Sequence, residues 1–96
     1  MTDEQTDDGA ESTVRCWLVE RSFDQRNLVT LVYATPDGER YQQRELSAHA
    51  LSQIDVTAAK AVPEGDLESV EDDDQRERYA SEVATMAEKH EPDEEL

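Results

Sequence analysis

Apolar and polar positions in the first half of the chain follow the two-residue period of β-strands. The run from Val14 to Phe23 is rich in β-branched and aromatic residues, which favours a strand. Leu28 to Ala34 is apolar on both faces, as is typical of the middle strand of a sheet. Glu39 to Glu45 is polar and charged, a composition that favours a sheet edge. These three runs predict an antiparallel meander.

Two turns separate the runs. Asp24 to Asn27 predicts the first turn, because asparagine adopts the left-handed conformation at low cost. The second turn is Thr35 to Gly38, where proline presets one dihedral angle and glycine supplies a positive φ. Both turns are short enough to join neighbouring antiparallel strands.

Helical spacing replaces the strand period later in the chain. Ser47 is a candidate N-cap for a short helix to about Gln53. Leu46 before the cap can pack against Leu51 as a hydrophobic staple. Asp72 or Asp73 predicts the start of a longer helix, which ends near His90. Four of its residues lie on one stripe at helical spacing, and this stripe should cover one face of the sheet: Tyr79, Val83, Met86 and His90.

The remaining segments set the domain boundaries. Val56 to Val62 is either a short fourth strand or an irregular crossing segment, and we favour the strand. Residues 1–13 and 91–96 are acidic and have no apolar period, which predicts disordered tails. The sequence therefore predicts a single α+β domain over residues 14–90, with a three-stranded meander, a possible fourth strand, a short helix and a longer C-terminal helix.

Charge is the strongest compositional signal. The chain has 25 acidic and 9 basic residues, for a net charge of −16. Residues 14–47 are neutral, so the excess lies in the flanking segments. Such a charge destabilises a compact state in dilute buffer, and molar salt screens that repulsion. We therefore expect a halophilic protein rather than an unfolded acidic chain, because the strands and the capped helix argue against disorder.

Cellular location follows from what the chain contains. One cysteine, Cys16, permits no intramolecular disulfide and lies inside an apolar run. The amino-terminal segment is acidic and does not resemble a signal peptide. No run approaches the length of a membrane span. We expect a cytoplasmic protein with no membrane partner.

Candidate catalytic and metal-binding groups share no motif. Cys16, His49 and His90 lack the spacing of a zinc site. The acidic run Glu71 to Asp74 lacks the spacing and glycine of a calcium loop, and it also suits a helix start. No serine lies in a nucleophile motif, and there is no glycine-rich phosphate loop. We predict no catalytic residues, no metal and no cofactor.

One group of residues indicates a binding surface. Unbroken alternation along the first strand places four arginine and aromatic side chains on one face: Arg15, Trp17, Arg21 and Phe23. Arginine beside exposed aromatics engages single-stranded nucleic acid or a protein hot spot. Alternatively, the two aromatic residues belong to the core and the arginines pair with glutamates on neighbouring strands.

Several strings resemble a known group of proteins. They are the segment Arg15 to Arg21, the hairpin Tyr33 to Arg40, and Val70 to Asp72 together with Arg76 to Ala80. Over residues 14–90 the chain resembles the short conserved hypothetical proteins of haloarchaea, whose function is unknown. The resemblance implies a cytoplasm rich in potassium chloride and carries no catalytic residue.

Three functions remain open at this point. We favour a non-enzymatic interaction or structural protein that self-associates, as a homodimer, through an edge strand or an uncovered sheet face. A nucleic-acid accessory protein is the second interpretation, although the net charge opposes nucleic acid. A cation-binding regulator or an enzyme using the acidic run Glu71 to Asp74 is the third.

Overall fold

The computed structural model describes residues 12–96 and confirms the α+β class. Strands β1 (Thr13–Phe23), β2 (Leu28–Ala34) and β3 (Arg40–Ser47) form the predicted antiparallel meander. Helix α1 (Ala48–Leu51) follows β3 directly. Strand β4 (Ala59–Pro63), a 3₁₀ turn (Glu64–Asp66), strand β5 (Glu68–Ser69) and helix α2 (Asp73–Lys89) complete the chain order.

Within the described part of the chain, the sheet has five strands in the order β4-β1-β2-β3-β5. The possible fourth strand is therefore confirmed, although it begins at Ala59 rather than at Val56. The two-residue strand β5 was not predicted, because so short a segment has no detectable period. It pairs with the beginning of β3, where Arg40 lies opposite Ser69 and Tyr41 opposite Glu68.

Local chemistry explains where the elements begin and turn. Asn27 has a φ of 64°, and Gly38 has a φ of 73°, as the two turn motifs predict. The side chain of Ser47 accepts a hydrogen bond from the Ala50 amide at the start of α1. Asp72 accepts one from the Gln75 amide and caps α2. Helix α1 ends two residues earlier than expected, at Leu51.

Two apolar clusters lie on opposite faces of the sheet. The helix face contains Trp17, Val32 and Ala34, which pack against Tyr79 and Val83 of α2. The other face has its own buried cluster, formed by Cys16, Leu18, Val29, Leu31, Tyr33 and Val62. Side chains from α1 and from the connecting segments pack on this second cluster: Leu51, Val56 and Leu67. Among residues 12–96, the long helix α2 covers the helix face, and its Met86 also contacts the second cluster.

The C-terminal segment, residues 91–96, differs from the expected tail. The amide of Ala59 donates to the Pro92 carbonyl at 2.9 Å, and the amide of Leu96 donates to the Val56 carbonyl at 2.8 Å. Main-chain hydrogen bonds of this kind need no apolar side-chain pattern, which is why the sequence gives no sign of them. Most of the predicted amino-terminal tail lies outside the described residues, while Thr13 already belongs to β1.

Across residues 12–96, none of the helices combines the length and the apolar composition that crossing a membrane requires.

Candidate interaction face

An irregularity in β1 decides which side chains share a face. Leu18 lies opposite Tyr33, and Glu20 lies opposite the next residue back, Val32. Val19 is therefore an extra residue in β1, as in a β-bulge. Because side chains alternate with a period of two, one extra residue exchanges the faces of every position beyond it.

The bulge separates the four residues that alternation had placed together. Trp17 lies opposite Ala34 on the helix face and is only 7% exposed. Arg21 lies opposite Leu31, and Phe23 lies opposite Val29, so both are on the other face. Arg15 precedes the bulge and shares the face of Trp17. The structure therefore pairs Arg15 with Trp17, and Arg21 with Phe23, on opposite sides of the sheet.

An ion pair supports this assignment of faces. Glu20, just past the bulge, has its carboxylate 3.9 Å from the guanidinium of Arg78 on α2. Unbroken alternation would have put Glu20 on the face opposite Trp17. Its contact with α2 instead places it on the helix face, together with Trp17.

The face opposite α2 gathers basic side chains around one tyrosine. The ammonium of Lys60 lies 4.6 Å from the centre of the Tyr33 ring, a cation–π contact. In the adjacent row, Arg21 and Arg44 flank Leu31 on either side. We call Arg21, Arg44 and Lys60, with Tyr33 between them, the basic face. Within residues 12–96, no ion pair involves any of its three cations.

The pKa values of Tyr33 and Lys60 reflect burial and the charges around them. Burial raises the pKa of Tyr33, while the positive charges of Arg44 and Arg21 act in the opposite direction. The pKa of Lys60 is lowered, first by burial and then by the nearby charge of Arg44. Both effects disfavour the charged ammonium, so a bound anion would stabilise it.

Arg44 and Lys60 were not among the predicted site residues. The alternation of Arg40, Gln42 and Arg44 along β3 already places these three side chains on one face. What the sequence could not supply is the strand register, which brings Lys60 from a remote strand to the same face. The sequence alone therefore does not predict this cluster, because it reveals neither the bulge nor the order of the strands.

A second feature is the open edge of β3. Strand β5 pairs only with Arg40 and Tyr41, which leaves Gln42–Leu46 without a neighbouring strand among the described residues. The carbonyl of Arg40 and the amide of Ala48 bond inward, toward the β2 side. Because main-chain groups alternate along a strand, Gln43 and Glu45 direct theirs outward from this edge.

Other chemical groups in the described chain do not form a site. Cys16 is completely buried, and burial raises the pKa of its thiol, so the reactive thiolate is disfavoured. His90 lies 2.8 Å from Glu94 in the C-terminal segment, and His49 is exposed in α1. Within residues 12–96, no three histidine, cysteine or acidic side chains are placed to hold a metal ion.

Comparison with known proteins assigns the chain to a family. Residues 10–96 match the model of DUF7967, which is described as a family of unknown function. Neither the curated proteins nor the solved structures include a match to this chain. The family model spans β1, both helices and the C-terminal segment, and the chain belongs to the DUF7967 family of unknown function.

Proposed function

We propose that this chain is a non-enzymatic interaction protein that self-associates as a homodimer in the salt-rich cytoplasm of a haloarchaeon. The observation that carries the proposal is that no strand within residues 12–96 pairs with the edge of β3 over Gln42–Leu46. An unpaired edge offers a row of amide and carbonyl groups to another strand. The same edge of a second copy supplies a matching row.

Antiparallel pairing of two β3 strands about a two-fold axis fits this edge over Gln42–Leu46 and ends there, because β5 already pairs with Arg40 and Tyr41. In one register, the outward groups of Gln43 face those of Glu45 in the second copy, so each residue gives and accepts a hydrogen bond. That register also avoids placing two Glu45 carboxylates opposite each other. The helix faces of both copies then lie on the same side of a continuous sheet.

Salt concentration decides whether this pairing is favourable. In that register Arg44 lies opposite Arg44 of the second copy, and each chain carries a net charge of −16. Like charges directly opposite one another destabilise a strand pair. In molar salt the Debye length is about 3 Å, so repulsion weakens while the hydrogen bonds persist. The proposed dimer therefore belongs to a high-salt environment.

Proline substitutions test the proposed edge. Glu45→Pro removes an outward amide and leaves the bonds between β2 and β3 intact. Ala61→Pro is the matched control on the opposite edge of the sheet. The amide of Ala59 points away from β1, and the amide of Ala61, two residues later, points the same way, so its loss leaves the bonds between β1 and β4 intact. Sedimentation velocity in about 3 M KCl should show a dimer for the unmodified chain and for Ala61→Pro, and a monomer for Glu45→Pro. A monomeric unmodified chain, or a dimer lost only with Ala61→Pro, would contradict the proposal.

The nucleic-acid interpretation receives less support from the geometry. It required Trp17 and Phe23 to be exposed side by side, whereas Trp17 packs under α2 and Phe23 lies on the other face. Stacking of a base on Trp17 would require opening of the core. The regulator or enzyme interpretation based on the acidic run likewise gains no support, because Asp72 already caps α2.

A further inference from the structure

The basic face is a positively charged surface on a molecule whose net charge is strongly negative. The strand positions around Tyr33 on this face contribute Arg21, Arg44 and Lys60, and the glutamates of β1 and β3 lie on the helix face. Arg21 and Arg44 are exposed, and Lys60 is half-buried. Among residues 12–96 none of the three cations forms an ion pair, although the charge of Asp66 acts on Lys60, so this face is complementary to negative charge.

The spacing of the cations suits an extended chain. Arg21 and Arg44 lie in one row, separated by β2, which places their backbones about 10 Å apart. Lys60 lies near the row of Cys16 and reaches over the Tyr33 ring. An extended peptide repeats its side chains on one face about every 6–7 Å, which is shorter than the separation of the two arginine backbones. The long arginine side chains can span the difference, so carboxylates two residues apart can reach both guanidinium groups.

The exposure of the aromatic side chains on this face favours a peptide over a nucleic acid as the ligand. Tyr33 is 3% exposed and lies under Lys60, so its ring offers no stacking surface to a base. Phe23 is 64% exposed on the same face as Arg21, two residues away. One exposed phenylalanine at the end of the basic face can instead contact an apolar side chain of a protein partner.

We propose that the basic face binds a carboxylate-rich, extended segment of a partner protein. Carboxylates contact Arg21, Arg44 and Lys60, and an apolar residue of the segment packs on Phe23. This inference does not require the proposed homodimer. Arg44 would also lie at the seam of that dimer, so the variants that test the basic face change only Arg21 and Lys60.

The test uses a fluorescent peptide of alternating glutamate and serine, with the full chain. The variant Arg21→Glu with Lys60→Glu reverses two cations of the basic face and leaves the edge of β3 unchanged. Arg78→Glu with Lys89→Glu makes the same change in net charge on exposed positions of α2. A milder variant, Arg21→Gln with Lys60→Gln, removes the charges and keeps most of each aliphatic chain, so a folding defect can be recognised.

Fluorescence anisotropy in about 0.5 M KCl should show saturable peptide binding by the unmodified chain. Binding should weaken at least about tenfold in both variants of the basic face, because each loses charge-assisted contacts, and less than about twofold in the α2 variant. Equal losses in the two charge-reversal variants would indicate general repulsion and overturn the proposal. So would the absence of peptide binding, or tighter binding of an oligothymidine strand of equal length.

Discussion

Trp17 and Phe23 lie six positions apart in one strand and have opposite environments. Trp17 is 7% exposed and packs against Tyr79 and Val83, whereas Phe23 is 64% exposed. The difference arises because the bulge at Val19 exchanges the two faces on which the side chains of the second half of β1 lie. Strand propensity alone cannot reveal such a bulge, because no glycine marks it and Val19 fits either arrangement.

Truncation of these two aromatic residues should have unequal effects. Trp17→Ala should lower the free energy of unfolding by about 3–5 kcal/mol, since it leaves a large cavity under α2. Phe23→Ala should change it by less than about 0.5 kcal/mol, because the ring is largely in solvent already. Chemical denaturation in high salt, monitored by circular dichroism, gives both values. Similar losses for the two variants would be incompatible with the bulge.

The stability of the second hairpin should depend on pH through the carboxyl group of Asp37. Its pKa is lowered, first by the hydrogen bond from the Thr35 hydroxyl at 2.6 Å and then by the amide of Glu39. A lowered pKa in the folded state contributes stability that is present above the ordinary aspartate pKa and is lost as the pH falls through the folded value. We expect unfolding free energy to fall below about pH 4. Asp37→Asn should reduce that dependence. If the unfolding free energy of the variant fell just as steeply at acidic pH, Asp37 would not be its source.

At the level of elements, the sequence predicted much of the fold. The three strands of the meander, both N-caps, the two turns and the span of α2 follow from side-chain period, capping residues and residues that accept a positive φ. Strand β5 and the pairing of residues 91–96 depend on main-chain hydrogen bonds between remote segments. Such pairing leaves no periodic signal, so it could not be predicted.

The second hairpin also contacts α2, which gives Gly38 two roles. Its φ of 73° favours glycine, and a Cβ there would collide with the Arg76 carbonyl and lie 2.8 Å from the Ala80 nitrogen. Gly38→Ala should therefore cost at least about 2 kcal/mol of unfolding free energy. Gly65→Ala is the matched control, since a Cβ at Gly65 meets nothing within 4 Å. Denaturation midpoints that shift equally in the two variants would contradict this contact.

The candidate basic face shows the limit of prediction for a site. Arg21 and Phe23 were predicted as part of one surface, and they do share a face. Unbroken alternation predicts Arg15 and Trp17 on that surface too, but the bulge at Val19 separates them from it. Lys60 joins it only through the order of strands, which places β4 beside β1. Register and strand order are properties of the tertiary fold, and local sequence does not determine them.

For the whole molecule, the acid excess predicts a salt-dependent stability. With a net charge of −16, repulsion destabilises the folded chain at low ionic strength. The melting temperature should rise as KCl increases from about 0.1 M to about 3 M. Replacing the exposed Glu82 and Glu88 with glutamine should raise the melting temperature at low salt and change it little at high salt. A melting temperature independent of salt would contradict this origin of the stability.

The proposed dimer through the edge of β3 is tested most directly by amide hydrogen exchange of the unmodified chain. In about 3 M KCl, the amides of Gln43 and Glu45 should become better protected as protein concentration increases, while the Ala61 amide on the opposite edge should not change. Exchange at Gln43 and Glu45 that stays fast and independent of concentration would contradict pairing of two β3 strands.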